Sequence, residues 1–137
     1  MRLNVRNVVA AAAAVAALLL ALDRLGWYWS VTLIPDCVWG GQPLWQKLCF
    51  PLVPLLAGSL FAGGAFALVS SESVVHAAVI VGALVVLSPA VPAYMSFLPW
   101  PIWWYPLAWV VAVTAGLPGV VAIRGVQSCV QKWRRAT

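Results

Sequence analysis

The sequence predicts an all-α polytopic membrane protein: a four-transmembrane-helix bundle with an aromatic, disulfide-tied outer cap. Three observations carry this reading. Four long apolar stretches are separated by short polar breaks. Only 8% of the residues are charged and 64% are hydrophobic, whereas a soluble domain carries roughly 25% charge to cover its surface. The scarce charges are also sorted, because six of the eight Lys and Arg lie in the tails, as Arg2, Arg6, Arg124, Lys132, Arg134 and Arg135. A soluble fold of this composition would expose large apolar patches and aggregate. The 137 residues accommodate about four spans of ~20 residues with short connections, so residues 1–137 read as a single integral membrane domain. The net charge of +5 lies beside the predicted membrane ends, where it meets anionic headgroups. It therefore points to the lipid bilayer as a partner and not to nucleic acid.

The first span covers about residues 8–22, with an alanine run from Ala10 to Ala14 followed by Val15, Ala16, Ala17 and three leucines. Alanine is the best helix former, and its small side chain suits close helix packing better than lipid contact. A basic start and apolar middle also resemble a secretory signal. No small-x-small cleavage site precedes Asp23 and Arg24, so the span is read as uncleaved. The second span covers about 48–70, with Pro51 and Pro54 expected in its first turns, where a missing N–H matters little. Gly58/Ala62 and Ser59/Gly63 recur at four-residue spacing, a ridge that lets a neighbouring backbone approach. Ser70, Ser71, Glu72 and Ser73 form a polar turn with N-cap chemistry. The third span covers about 74–91, and Pro89 disfavours helical geometry at Ser88, so the regular helix stops or kinks there. The fourth covers about 103–123. Within it Thr114 and Pro118 mark a helix break: Pro118 lacks an N–H, and the carbonyl of Thr114 must find another donor.

Orientation follows from the same charges. The connection between spans 3 and 4 carries none, and that between spans 1 and 2 carries Arg24 and Lys47. Four spans place both basic tails on one side, and the positive-inside rule makes that side cytoplasmic in a cell or plasma membrane.

Cysteine usage agrees with this topology. Cys37 and Cys49 fall on the predicted outer side, around Gly40, Gly41, Gln42 and Pro43. There they are candidates for a disulfide, since such bridges persist in oxidising compartments. A bridge there stabilises the loop by roughly 3 kcal/mol in the chain-entropy model. Cys129 lies alone on the inner side and is read as an unmodified thiol, although a headgroup-level cysteine can be lipidated.

Nine tryptophans form the chain's second anomaly, and seven of them, Trp27, Trp29, Trp39, Trp45, Trp100, Trp103 and Trp104, belong to the outer loops or outer helix ends. Indoles favour the headgroup region, so the plainest reading is an interfacial belt. A belt usually marks both interfaces, and this one is lopsided. Trp27, Trp29, Trp100, Trp103, Trp104 and Tyr105 are therefore a candidate docking or ligand cap. They could grip a membrane-protein partner, stack on a lipid or quinone headgroup, or cage an organic cation with Asp23 or Asp36 supplying charge.

At the inner end Glu72 and His76 are a candidate polar pair, four residues apart on one helix face. A proton relay with Arg124 is one use of such a pair. The simpler reading is that Glu72 favours a helix N-terminus and His76 reaches headgroup water. One histidine cannot supply paired haem ligands or a His-rich zinc site, and no cofactor is implied. Phosphate loops and Ser-His-Asp sets are also missing from the sequence.

Three functions remain. The leading one is a non-enzymatic accessory or structural subunit that packs against membrane partners or copies of itself. The second is an oligomeric small-molecule transporter or channel subunit using the Pro118 break and the aromatic cap. The third is a membrane thiol-disulfide oxidoreductase using Cys37 and Cys49. It lacks the close C-x-x-C pair that lowers a thiol pKa.

Overall fold

Asn4 opens the first helix. Its carbonyl accepts the N–H groups of Asn7 and Val8 at 2.8 and 3.2 Å, and its side-chain oxygen faces the Arg6 N–H at 3.4 Å, an N-cap arrangement. The computed structural model describes residues 4–28, 44–88 and 104–136, and side chains over 4–25, 53–88 and 105–136. Among the described residues the fold is all-α with four helices. They are α1 (Val5–Tyr28), α2 (Leu44–Val69), α3 (Val74–Leu87) and, here numbered α4, the helix Trp104–Ala136. By length and composition two of them can cross a membrane, along Val5–Leu25 and Tyr105–Ala136. Shorter apolar stretches run over Val53–Val69 and Val74–Leu87.

The helices alternate in direction. α1 starts, α2 ends and α3 starts at the end of the bundle that holds Arg6, Ser70, Glu72 and Arg124, and α4 passes that end at Arg124. α2 is the hub, packed along one side by α1 and along another by α4, while α3 leans mainly on α4. The buried positions recur at four-residue intervals, as the α-helical period requires for one face. In α1 they are Ala10, Ala14, Leu18 and Leu22. In α4 they are Ala108, Ala112, Gly116 and Val120. α2 buries two adjacent rows, Pro54/Gly58/Ala62/Phe66 and Leu55/Ser59/Gly63/Ala67, which is why it can serve two neighbours at once.

Small residues set the helix spacing. An added Cβ on Gly58 would meet Leu18 Cδ1 of α1 at 2.8 Å. On Gly63 it would overlap the Gly116 carbonyl of α4, and on Gly119 the Leu60 carbonyl of α2. The predicted ridge is thus divided, with Gly58 admitting α1 and Gly63 admitting α4. Gly116 marks the meeting of three helices, since a Cβ there would lie 3.3 Å from Val81 Cγ1 of α3 and 3.4 Å from the Ser59 carbonyl of α2. On α3, Gly82 makes room for Val113 and for the Trp109 ring.

Several boundaries differ from the sequence reading. α2 begins at Leu44, which places Pro51 and Pro54 beyond its first turn. α3 ends at Leu87, and Ser88 is extended at φ −67°, ψ 147°, as a residue before proline prefers. The Ser88 hydroxyl and N–H both donate to the Val85 carbonyl, at 2.8 and 3.3 Å. The break expected at Thr114 and Pro118 does not interrupt α4, which is continuous through Pro118 to Ala136. Both residues lie on the exposed side of the helix, so the lost N–H falls away from the packed face. The fourth span is expected over about residues 103–123, and the helix that carries it persists beyond residue 123 to Ala136. Hydropathy falls after Ile123 but helix propensity does not: Gln, Lys, Arg and Ala all favour helix.

Candidate functional site

Polar side chains from three parts of the chain meet where α1, the α2–α3 turn and α4 come together. A helix leaves its last carbonyls without N–H partners and carries partial negative charge there. At the end of α2 these carbonyls are met by side chains from two other helices. Arg6 Nε of α1 donates to the Val69 carbonyl. Arg124 Nη2 of α4 donates to the carbonyls of Ser70 at 2.8 Å and Glu72 at 3.0 Å. Gln127 Nε2, one turn further along α4, donates to Ala67 O at 3.4 Å, and its own Oε1 accepts from Arg124 Nη1 at 3.3 Å. A guanidinium is suited to this task because its planar fork can donate to two carbonyls at once and keeps its charge.

Glu72 and His76 take different partners at this node. Glu72, half-buried, accepts from Asn7 Nδ2 at 2.8 Å through Oε1, tying α1 to the turn. His76 is exposed, and its Nδ1 lies 3.0 Å from Ser73 Oγ. Ser73 is the N-cap of α3, and its hydroxyl also accepts the His76 N–H at 3.4 Å. The turn therefore holds Glu72 for tertiary contact and His76 for local capping. Arg124 reaches Glu72 through its backbone carbonyl. Asn7 and Gln127 were not singled out in the sequence, because a lone amide near a helix end has no distinguishing signature.

Elsewhere Thr114 Oγ1 donates to the Val110 carbonyl at 2.7 Å, a local bond that satisfies the hydroxyl within its own helix. Ser59 and Ser70 bury hydroxyls without a hydrogen-bond partner among the described residues. Cys129 is a free, exposed thiol. Tyr105 is 39% exposed at the start of α4. Trp29, Cys37, Trp100 and Trp103 lie outside the described residues, and so do the side chains of Trp27, Cys49 and Trp104, which sit on described helical backbone. The expected aromatic cap, Tyr105 apart, and the expected Cys37–Cys49 disulfide therefore lie outside the described side chains.

No family model, curated protein or solved structure matches the chain. Its class rests on its own structure: an all-α protein with two helices capable of crossing a membrane.

Proposed function

We propose that this chain is a small integral membrane protein that embeds all four helices and acts as a non-enzymatic accessory or structural subunit. The observation that carries this reading is the use made of the polar node. Arg6, Arg124 and Gln127 all donate to backbone carbonyls at the end of α2, which is work of assembly. The interior supports it, being built from alanine, glycine and a few larger side chains such as Phe66, Leu18 and Val81. Outward faces are apolar along every helix, with Val8, Leu20, Phe61, Leu68, Val79, Val110 and Val121 exposed. In water such faces would drive aggregation; in a bilayer they are the required surface for lipid or for a partner helix.

Lengths favour embedding. α2 has 26 residues, about 39 Å at 1.5 Å per residue, against a hydrocarbon thickness of ~30 Å. α3 has 14, about 21 Å, shorter than that thickness by itself. From Tyr105 to Arg124, α4 rises roughly 29 Å, so the arginine node lies one bilayer thickness from the Tyr105 end. The node then faces the cytoplasm by the positive-inside rule. The transporter alternative is less well supported, since Thr114 and Pro118 face outwards.

The test is purification in a gentle detergent or in native nanodiscs, followed by native mass measurement and identification of co-purifying chains. A fixed membrane-protein partner or a defined homo-oligomer supports the subunit reading. A stable lone monomer that moves a small solute across vesicles overturns it.

A further inference from the structure

We propose that the outward face of α4 pairs, in parallel and around Thr114, with the same face of a second copy of this chain. The pairing rests on the subunit reading above and names its partner. Three observations carry it. The first is a backbone group that α4 cannot satisfy by itself. Pro118 lies inside the helix and has no N–H, so the Thr114 carbonyl loses the donor that an α-helix supplies from four residues on. The Thr114 hydroxyl is turned the other way, onto the Val110 carbonyl at 2.7 Å. Thr114 and Pro118 are both exposed, so the freed carbonyl opens away from the bundle. It lies about 14 Å along the axis from Tyr105 and about 15 Å from Arg124. That is the middle of the ~30 Å hydrocarbon layer, where no water completes it.

The second observation is the surface around that carbonyl. Leu107, Val110, Thr114, Leu117 and Val121 are exposed and stand alternately three and four residues apart. At ~100° per residue they share an arc of about 80°, on the side opposite the buried row Ala108, Ala112 and Gly116. This is the seam spacing of a left-handed helix pair. The third is Gly125, which continues the stripe about 20° around the axis from Thr114. A Cβ added to any of the six other glycines between residues 53 and 136 would meet a neighbouring helix within 4 Å, whereas at Gly125 it would meet nothing among the described residues. Helix propensity disfavours glycine, so packing within this chain does not call for one there. A second helix crossing this face does, because a missing Cβ lets two backbones approach.

Complementarity selects a second copy as the occupant. Each copy brings one hydroxyl donor and one carbonyl without its N–H, so two copies complete each other. Copies inserted in the same orientation hold Thr114 at equal depth, and a two-fold axis along the membrane normal sets Thr114 opposite Thr114. Each hydroxyl then turns from Val110 to the carbonyl across the seam, as Ser and Thr do between membrane helices. One polar layer in an apolar seam also fixes its register. No charged residue lies between Leu107 and Ile123, and Arg124 is drawn onto the end of α2, so like charges do not oppose the contact. A crossing of ~20° parts the helices beyond Gly125 and leaves each Lys132 in headgroup water.

Cysteine cross-linking of the full chain in membranes tests the pairing, with one cysteine added to Cys129→Ser. Val110→Cys and Val121→Cys should give disulfide-linked dimers on mild oxidation. Their yield should be several-fold that of Leu20→Cys on α1, of Val79→Cys on α3 and of Cys129→Ser alone. Thr114→Val should cut the Val121→Cys yield several-fold, and so should Gly125→Leu, while Thr114→Ser, which keeps the hydroxyl, should preserve it. With Pro118→Ala the carbonyl regains its N–H, and Thr114→Val should then lose most of its effect. Equal yields at seam and control positions overturn the pairing, and a yield indifferent to Thr114→Val overturns its hydrogen-bonded layer. Native mass measurement separates the two readings. One copy bound to a different membrane protein overturns the seam and leaves the accessory subunit standing, whereas a lone monomer that moves a small solute overturns both.

Discussion

Arg124 shows how much of this protein turns on single side chains. Its guanidinium joins α4 to the Ser70 and Glu72 carbonyls, and hydrogen bonds to a charged donor are each worth roughly 1.5–3 kcal/mol when well formed. Arg124→Ala should destabilise the bundle by about 2 kcal/mol, measured by denaturant titration in mixed micelles. Arg124→Lys should recover less than half of that loss, because one ammonium cannot reproduce the fork. Equal stability of all three chains would remove Arg124 from the structural account. Ser59 is the opposite case. Its buried hydroxyl lacks a partner among the described residues, and an unpaired buried hydroxyl costs ~1–3 kcal/mol. Ser59→Ala should therefore match or exceed the native stability in the same titration, and a marked loss would show that the hydroxyl holds a partner.

At the scale of the helix, glycine positions divide by what stands opposite. Gly119 faces the Leu60 carbonyl, and Gly64 has only Ile123 Cγ1 at 3.6 Å and Gly119 O at 3.9 Å near a would-be Cβ. Gly119→Ala should force α2 and α4 apart and destabilise by about 1–3 kcal/mol or more, the usual range for overpacking. Gly64→Ala makes ordinary contacts and gains helix propensity, so its stability should stay level or rise slightly. Reversal of that order would mean that the α2–α4 crossing is placed elsewhere. The continuity of α4 follows the same logic. Its glycines at 116 and 119 face inward while Thr114 and Pro118 face outward, so proline occupies the side where no helix of the same chain must approach.

For the molecule as a whole, the convergence of Arg6, Asn7, Glu72 and Arg124 joins the start of α1 to the far part of α4 at one end. Cysteine-accessibility labelling should place Arg6, Glu72 and Lys132 on the cytoplasmic side, and Gln42 and Ser96 on the other. Opposite signals at Arg6 and Lys132 would break the four-span arrangement. Non-reducing mass mapping of protein kept in its native membrane should recover a Cys37–Cys49 peptide, with Cys129 alkylated as a free thiol. A free thiol at Cys37 would dissolve the tied outer cap.

Local physical chemistry made much of this legible from sequence. All-α structure, the small-residue ridge at Gly58, Ser59, Ala62 and Gly63, the capping turn at Ser73 and the stop before Pro89 depend on neighbours a few residues away, through hydropathy, propensity and backbone sterics. Other features required the folded chain. Glu72 and His76 have the spacing of a pair, yet Glu72 meets Asn7 of α1 and His76 meets Ser73. Gly58 and Gly63 belong to one ridge, yet they admit different helices. The carbonyls capped by Arg6 and Arg124 lie 63 and 54 residues away in the chain. Spacing states which face a residue occupies, but only the pairing of helices decides what that face meets.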